Sequence, residues 1–247
     1  MAGPSLSGRT VIVTGAASGI GAASIQALAE EGATTIGIDR AAVNGPASLT
    51  IEMSVTDEAA WSDTVPRVLD RFGTIDGLVN CAGIIRMAPV TDMELDLFRQ
   101  SMQVNVEGPF LAMKHVLPVM YGQGRGSVVN LSSTAGIAGS PGAAAYCASK
   151  AAVRLLSKSV ALEALANGSG VRVNSLHPAM TETPMVQDIV AQLGGSADTL
   201  DQMRALQPSG RFIPVSAVVD AILFLLSDGS TFINGTDFLV DNGFTAQ

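Results

Sequence analysis

The run Thr10-Val11-Ile12-Val13-Thr14 passes directly into Gly15-Ala16-Ala17-Ser18-Gly19-Ile20-Gly21, and then into a helix-like stretch from about 19 to 31. A strand that turns tightly into a helix rejoins its sheet only by crossing over, and the strand that follows then lies parallel to it. The same handover recurs along the chain. Apolar β-branched runs predict strands near 10–14, 35–38, 48–53, 75–79, 127–131, 171–176 and 238–240. Between them, helical patterning covers 57–72, 145–166 and 216–227. A longer helical region, 92–121, is expected to break near Gly108-Pro109 and bend at Pro118. Strands that read as continuous apolar runs are covered on both faces. The expectation is one α/β domain over 1–247, a doubly wound parallel sheet. Two stretches are irregular. Residues 39–47, with Asn44-Gly45-Pro46, leave no room for a crossover helix, and 179–214 reads as a long substrate loop.

Composition supports a large core. Hydrophobic residues make up 47% and charged residues only 15%, against ~25% charged in an average globular protein, so part of the surface is expected to be hidden by self-association. The net charge of −8, with no basic run, argues against nucleic acid as a partner. The N-terminus lacks the pattern of a secretory leader, and the apolar run 221–226 is too short to span a bilayer. Cys81 and Cys147 make no disulfide framework, and His115 and His177 suggest no metal site. A cytoplasmic protein without a membrane partner is the expectation.

Gly15, Gly19 and Gly21 let the backbone turn sharply and approach a ligand, with Ser18 and Ile20 between them. The helix that follows offers free N–H groups and a positive dipole end to a pyrophosphate. Eighteen positions beyond Gly21, Asp39 ends the second strand, where a carboxylate accepts hydrogen bonds from an adenosine ribose. That carboxylate would repel a 2′-phosphate, which favours NAD over NADP. Arg40 is the counter-indication, because a guanidinium there could pair with the same phosphate.

Tyr146 and Lys150 stand at i and i+4 on one helical face. Free tyrosine titrates near ~10, and a neighbouring cation favours the phenolate. A shift of ~3 units requires roughly 4 kcal/mol, so the lysine is expected to need help. A phenol so placed can act as a general base.

The spacing G-x3-G-x-G with Tyr146-x3-Lys150 resembles the short-chain dehydrogenase/reductase family, over most of the chain from Leu6 to about Phe244. Asn80-Cys81-Ala82-Gly83 is similar to the turn after that family's fourth strand, and Asn105 falls where it places a fourth catalytic residue. Ser133, thirteen residues before Tyr146, matches its strand-end serine, and Pro178 and Thr183 fall in its nicotinamide-side loop. The resemblance implies a Rossmann-type fold and hydride transfer between a secondary alcohol and NAD. It gives Tyr146 the role of base and Lys150 that of a partner to the phenol and the nicotinamide ribose. Ser133 becomes a donor to the substrate oxygen, and Asn105 holds a water. Asn80, Ala82 and Gly83 join the cofactor set. Cys81 replaces a usual Asn, Ala179 a usual Gly, and Ser54 a frequent Asp near the adenine. The family also implies a homotetramer. The apolar residues around Ile137, Ala138 and Met185 suggest a hydrophobic cyclic alcohol or ketone of hydroxysteroid or terpenol type. Two alternatives stay open: a 3-oxoacyl-thioester reductase, and a catalytically idle dinucleotide-binding sensor or scaffold. An enoyl reductase would space its Tyr and Lys more widely.

Overall fold

The computed structural model describes residues 6–195 and 197–246. Seven strands form one parallel sheet in the order β3-β2-β1-β4-β5-β6-β7. They are β1 (Thr10–Thr14), β2 (Thr34–Asp39), β3 (Leu49–Glu52), β4 (Gly77–Asn80), β5 (Gly126–Leu131), β6 (Val171–Pro178) and β7 (Asp237–Val240). The strand order reverses beside β1. The crevice opposite the carboxyl ends of β1 and β4 is therefore the topological switch point, where open α/β sheets bind ligands.

Helices α1 (Gly19–Glu30), α2 (Glu58–Phe72), α3 (Leu95–Met102), α4 (Gly108–Gln123) and α5 (Ala144–Ala166) are followed by α6 (Pro184–Gln192), α7 (Ala197–Ala205) and α8 (Val215–Leu226). Two apolar layers sandwich the sheet. One joins Ile12, Ile36 and Val128 to Trp61, Val65, Val116 and Val160 from α2, α4 and α5. The other joins Val11, Val13 and Val129 to Ile25, Leu28, Val218 and Ile222 from α1 and α8. Alternate residues of β1 face opposite layers, which is the period-two geometry of a strand buried on both sides. Trp61 is fully buried, and its indole N–H donates to the Val55 carbonyl at 3.0 Å.

The long helical region differs from expectation. It starts at Leu95 rather than 92, and it does not break at Gly108-Pro109. A π-helical turn, Gln103–Glu107, connects α3 to α4 instead. The wider turn admits one extra residue, and Pro109 is tolerated because it sits in the first turn of α4, where a proline disrupts little. Gly108 is required by packing: a Cβ there would lie 2.8 Å from Val55 Cγ2. Residues 39–47 carry no helix, as the sequence suggested. The stretch 179–214 holds two helices, α6 and α7, and is not simply a loop.

Candidate active site

The β1–α1 turn forms the floor of the crevice. Gly15 has φ +67° and Gly19 φ +53°, conformations that favour glycine. Gly21 is fixed by contact: a Cβ on it would fall 2.1 Å from the Gly15 carbonyl oxygen. Ser18 precedes α1 without capping it, and the first turn carries no acidic residue, so the helix presents its free N–H groups to the crevice. Asp39, at the end of β2, closes the far side. Its Oδ2 accepts from Ala17 N and its Oδ1 from Ala41 N, both at 3.0 Å. Across from Gly19 stands Thr183, whose Cβ is 3.5 Å from where a Gly19 Cβ would sit. The fold thus brings the 179–184 segment against the glycine turn.

Both ends open into one cleft of about 590 Å³. Gly15, Ser18, Gly19, Ile20, Gly21 and Asp39 line one end. Ser133, Tyr146 and Lys150 line the other, with Ala82, Gly83, Pro178 and Thr183 between. Lys150 is 4% exposed, and its ammonium donates to the Leu131 carbonyl at 2.7 Å while lying 5.5 Å from the Tyr146 ring centre. The Ser133 hydroxyl accepts from Ala135 N at 3.1 Å and also hydrogen-bonds the Tyr146 phenol.

The electrostatics of the protein groups run against the sequence expectation. Burial pushes Tyr146 up to about 12, with the Ser133 hydrogen bond opposing it. Burial pulls Lys150 down to about 8, with Cys81 opposing, and it pushes the Cys81 thiol up to about 12. Desolvation outweighs the attraction expected between phenolate and ammonium. On their own, these residues hold a neutral phenol beside a lysine that is easily deprotonated.

Two predicted site residues do not line the cleft. The Asn80 amide donates to Asn130 Oδ1 at 2.8 Å, between β4 and β5. Asn130 in turn donates to Ser157 Oγ at 2.9 Å, so Asn80 ties strands together rather than facing a ligand. Asn105, 1% exposed, accepts from Ile84 N at 2.8 Å and donates to Ile84 O and Ser149 Oγ, both at 2.9 Å. Its Oδ1 and Lys150 Nζ flank Gly83, at 3.3 and 3.5 Å from where a Cβ would be. Asn105 therefore clamps the segment after β4 against α5, instead of presenting its amide to the cleft.

His177, at the end of β6, has a structural part. It is fully buried, with Nδ1 3.0 Å from the Ser133 carbonyl and Nε2 2.9 Å from Ser175 Oγ. A carbonyl only accepts, so Nδ1 carries the proton and Nε2 accepts from the serine. Burial lowers its pKa, outweighing the raising effects of the Ser133 carbonyl and Asp237. The neutral ring holds the backbone of Ser133. A signal existed in the sequence: a histidine at the end of a predicted strand, next to a proline.

Comparison with known proteins agrees with this geometry. A family model described as Enoyl-(Acyl carrier protein) reductase matches residues 15–245. Cyclopentanol dehydrogenase of Comamonas testosteroni is 36% identical over 253 residues, covering 97% of this chain and 98% of its own. The chain belongs to the short-chain dehydrogenase/reductase family. Among other members of this short-chain dehydrogenase/reductase family, cis-4-hydroxycyclohexanecarboxylate dehydrogenase of Sinomonas cyclohexanicum is 37% identical, with 99% of each chain covered. The solved structure of aldohexose dehydrogenase from Thermoplasma acidophilum superposes with a TM-score of 0.93 at 30% identity, over 99% of this chain and 97% of that one. The family binds a nicotinamide dinucleotide, and this short-chain dehydrogenase/reductase fits one. Its uncapped α1 suits the pyrophosphate, Asp39 suits a ribose, and the cleft runs unbroken from Asp39 to Tyr146.

Proposed function

We propose that this protein is an NAD-dependent oxidoreductase interconverting a hydrophobic cyclic secondary alcohol and its ketone. Its curated relatives include dehydrogenases named for cyclopentanol and hydroxycyclohexanecarboxylate, so action on a CH–OH group follows from kinship. The observation that carries the reading is a single cleft joining the glycine turn and Asp39 to Ser133, Tyr146 and Lys150. An apolar wall of Ile85, Met87, Met180, Met185, Val186 and Ile189 adjoins Tyr146 and suits a ring.

The bound dinucleotide supplies the hydride acceptor or donor. The chain's own residues manage the proton. Ser133 donates to the substrate oxygen, and Tyr146 takes the hydroxyl proton on oxidation or returns it on reduction. Because burial holds the phenol near 12, its activation requires added positive charge in the cleft. Oxidised nicotinamide carries such a charge. Lys150 holds the cation beside the ring, anchored on Leu131 O, and its second role is to bind the nicotinamide ribose. Asn105 positions the backbone behind both groups. Gly15, Ser18, Gly19, Ile20 and Gly21 would take the pyrophosphate, and Ala82, Gly83, Pro178 and Thr183 would hold the nicotinamide half.

The preference for NAD rests on the Asp39 carboxylate, which Ala17 N and Ala41 N hold at the ribose end. A 3-oxoacyl-thioester reductase would call for NADP and a basic entrance. The charged side chains among the described residues lining the cleft are Asp39, Arg40 and Lys150, and Arg40 is the basic one at the adenosine end. A homotetramer is the proposed assembly. Leu155, Leu162 and Leu165 of α5 are about two-thirds exposed (68%, 67% and 68%), and Phe110 of α4 is 48% exposed. These apolar side chains offer an interface that sedimentation would count. A cytoplasmic setting is in keeping with the unpaired Cys81 and Cys147.

The test follows nicotinamide absorbance with NAD and NADP against cyclic and acyclic secondary alcohols and 3-oxoacyl thioesters. Oxidation of ring alcohols with NAD is expected, and Tyr146→Phe abolishes turnover while retaining NADH binding. Turnover retained in Tyr146→Phe would refute the mechanism. NADH binding without turnover of any alcohol would make the protein a sensor.

A further inference from the structure

The wall of the cleft away from the glycine turn is apolar apart from a few polar side chains, and the largest of those without a side-chain partner is Gln207. Gln207 lies just after α7 and lines the cleft, yet the residue is only 7% exposed. Its backbone is fully used: its N–H donates to Arg204 O at 2.9 Å, and its carbonyl accepts from Gly210 N at 2.8 Å. Its side-chain amide makes no hydrogen bond with any described residue, and its amide atoms are not among the fully enclosed unpartnered ones. The amide atoms therefore keep some accessible surface, and the residue lines the cleft. The Thr181 hydroxyl, also on the cleft wall, is by contrast engaged by the Ala179 carbonyl at 2.9 Å. An amide with no protein partner on a cleft wall is held by water until a ligand group replaces that water.

Resting on the reading of a cyclic alcohol dehydrogenase, we infer that Gln207 is a specificity residue and that the substrate carries a second, neutral oxygen remote from the reacting carbon. A glutamine amide can donate to a carbonyl and accept from a hydroxyl, so ring diols, hydroxyketones and diketones form the class. A carboxylate does not fit as well. Lys150, at the reacting end, and Arg40, at the adenosine end, are the cations among the described lining residues. An anionic substituent near Gln207 would thus be desolvated without a counter-charge.

The experiment compares kcat/KM for cyclohexanol, cyclohexane-1,4-diol, 4-hydroxycyclohexanone and 4-hydroxycyclohexanecarboxylate, each with NAD. The wild-type protein is expected to favour the diol and the hydroxyketone over cyclohexanol by roughly five- to tenfold, the worth of one well-made hydrogen bond. The carboxylate falls below both. Gln207→Leu brings the ratios to about one. Gln207→Glu keeps the preference for the diol, whose hydroxyl can donate, and loses it for the hydroxyketone, whose carbonyl cannot. That split between two acceptor types would not arise from a packing defect, and it decides the matter should the leucine variant fail to fold. A wild-type ratio near one, or a ratio surviving in Gln207→Leu, overturns the inference. Turnover of cyclohexanol without discrimination removes only the role of Gln207. Absence of turnover with every ring alcohol, using NAD or NADP, removes the proposed function and this inference with it.

Discussion

Replacing Lys150 with methionine should make the protein more stable and nearly inactive. Lys150 is 4% exposed, and its ammonium has one protein acceptor, the Leu131 carbonyl at 2.7 Å. Burial takes its pKa from 10.5 to about 8, and at 1.36 kcal/mol per unit that difference is ~3 kcal/mol. The sign follows from which state holds the proton. In the unfolded chain the lysine stays charged up to its ordinary value, while in the fold it begins to lose its proton near 8. Below that pH the fold carries a desolvated charge, and stability is lower by ~3 kcal/mol. The deficit is recovered as pH rises from about 8 towards 10.5. Methionine keeps the length of the side chain and removes the charge. It also leaves the Leu131 carbonyl without this donor, at a cost of ~1 kcal/mol. The net expectation near neutral pH is a gain of roughly 1–2 kcal/mol. Alcohol turnover should fall at least about a hundredfold with loss of the positioned cation. Urea unfolding at several pH values reads the first effect, and the gap between wild type and variant should narrow as the medium becomes alkaline. A Met variant less stable at neutral pH, or a gap that does not change with pH, would refute the reasoning.

Three further outcomes follow from the geometry. Gly21→Ala drives a Cβ to 2.1 Å from the Gly15 carbonyl oxygen; fluorescence titration should show NADH affinity weakened at least about tenfold, with ~1–3 kcal/mol of stability lost to overpacking, and unchanged affinity would contradict the role of the turn. For Asp237, burial raises the carboxyl pKa, but hydrogen bonds and charge from Arg154 and Lys158 prevail and hold it near 2. Its contribution of ~2 kcal/mol is present above the ordinary carboxylate value and lost as pH falls through about 2, so Asp237→Asn should lower stability at neutral pH and flatten the acid limb of the stability profile. His177, whose pKa is lowered chiefly by burial, adds to acid sensitivity at higher pH, since the unfolded chain takes up a proton below about 6.5 before the fold does; a His177→Gln variant should lose that limb of the wild-type profile in parallel urea titrations.

The sheet was legible because its strands are apolar and β-branched, and because glycine and the strand-to-helix handover mark their ends. Tyr146 and Lys150 were legible because i, i+4 spacing places side chains on one face in any helix. What sequence periodicity could not show was the sign of their pKa shifts, which depends on how completely the surrounding elements exclude water. The π turn was hidden for a related reason. Gln103–Glu107 contains no Gly or Pro to mark it, and only the folded backbone shows the extra residue. Asn80 was assigned to the cofactor from its place in a motif, but its partner Asn130 lies on a strand fifty residues on. Helices α6 and α7 were missed because short, Gly-flanked segments carry little periodic signal.

The π turn also bears on how such a site can change. Each residue advances an α-helix by ~100°, so one additional residue between α3 and α4 reorients everything on one side of it relative to the other. Here α4 packs Leu111, Val116 and Met120 into the sheet layer, while the turn delivers Asn105 to the backbone behind Lys150. Removal of a single codon from 103–107 would restore a regular hydrogen-bond ladder and cost the chain little as a helix. It would also set those two orientations in conflict, so that either the core or the asparagine clamp must give way. Gain or loss of this clamp is thus a one-step event at the level of the gene, whereas no substitution that preserves chain length could produce the same rotation.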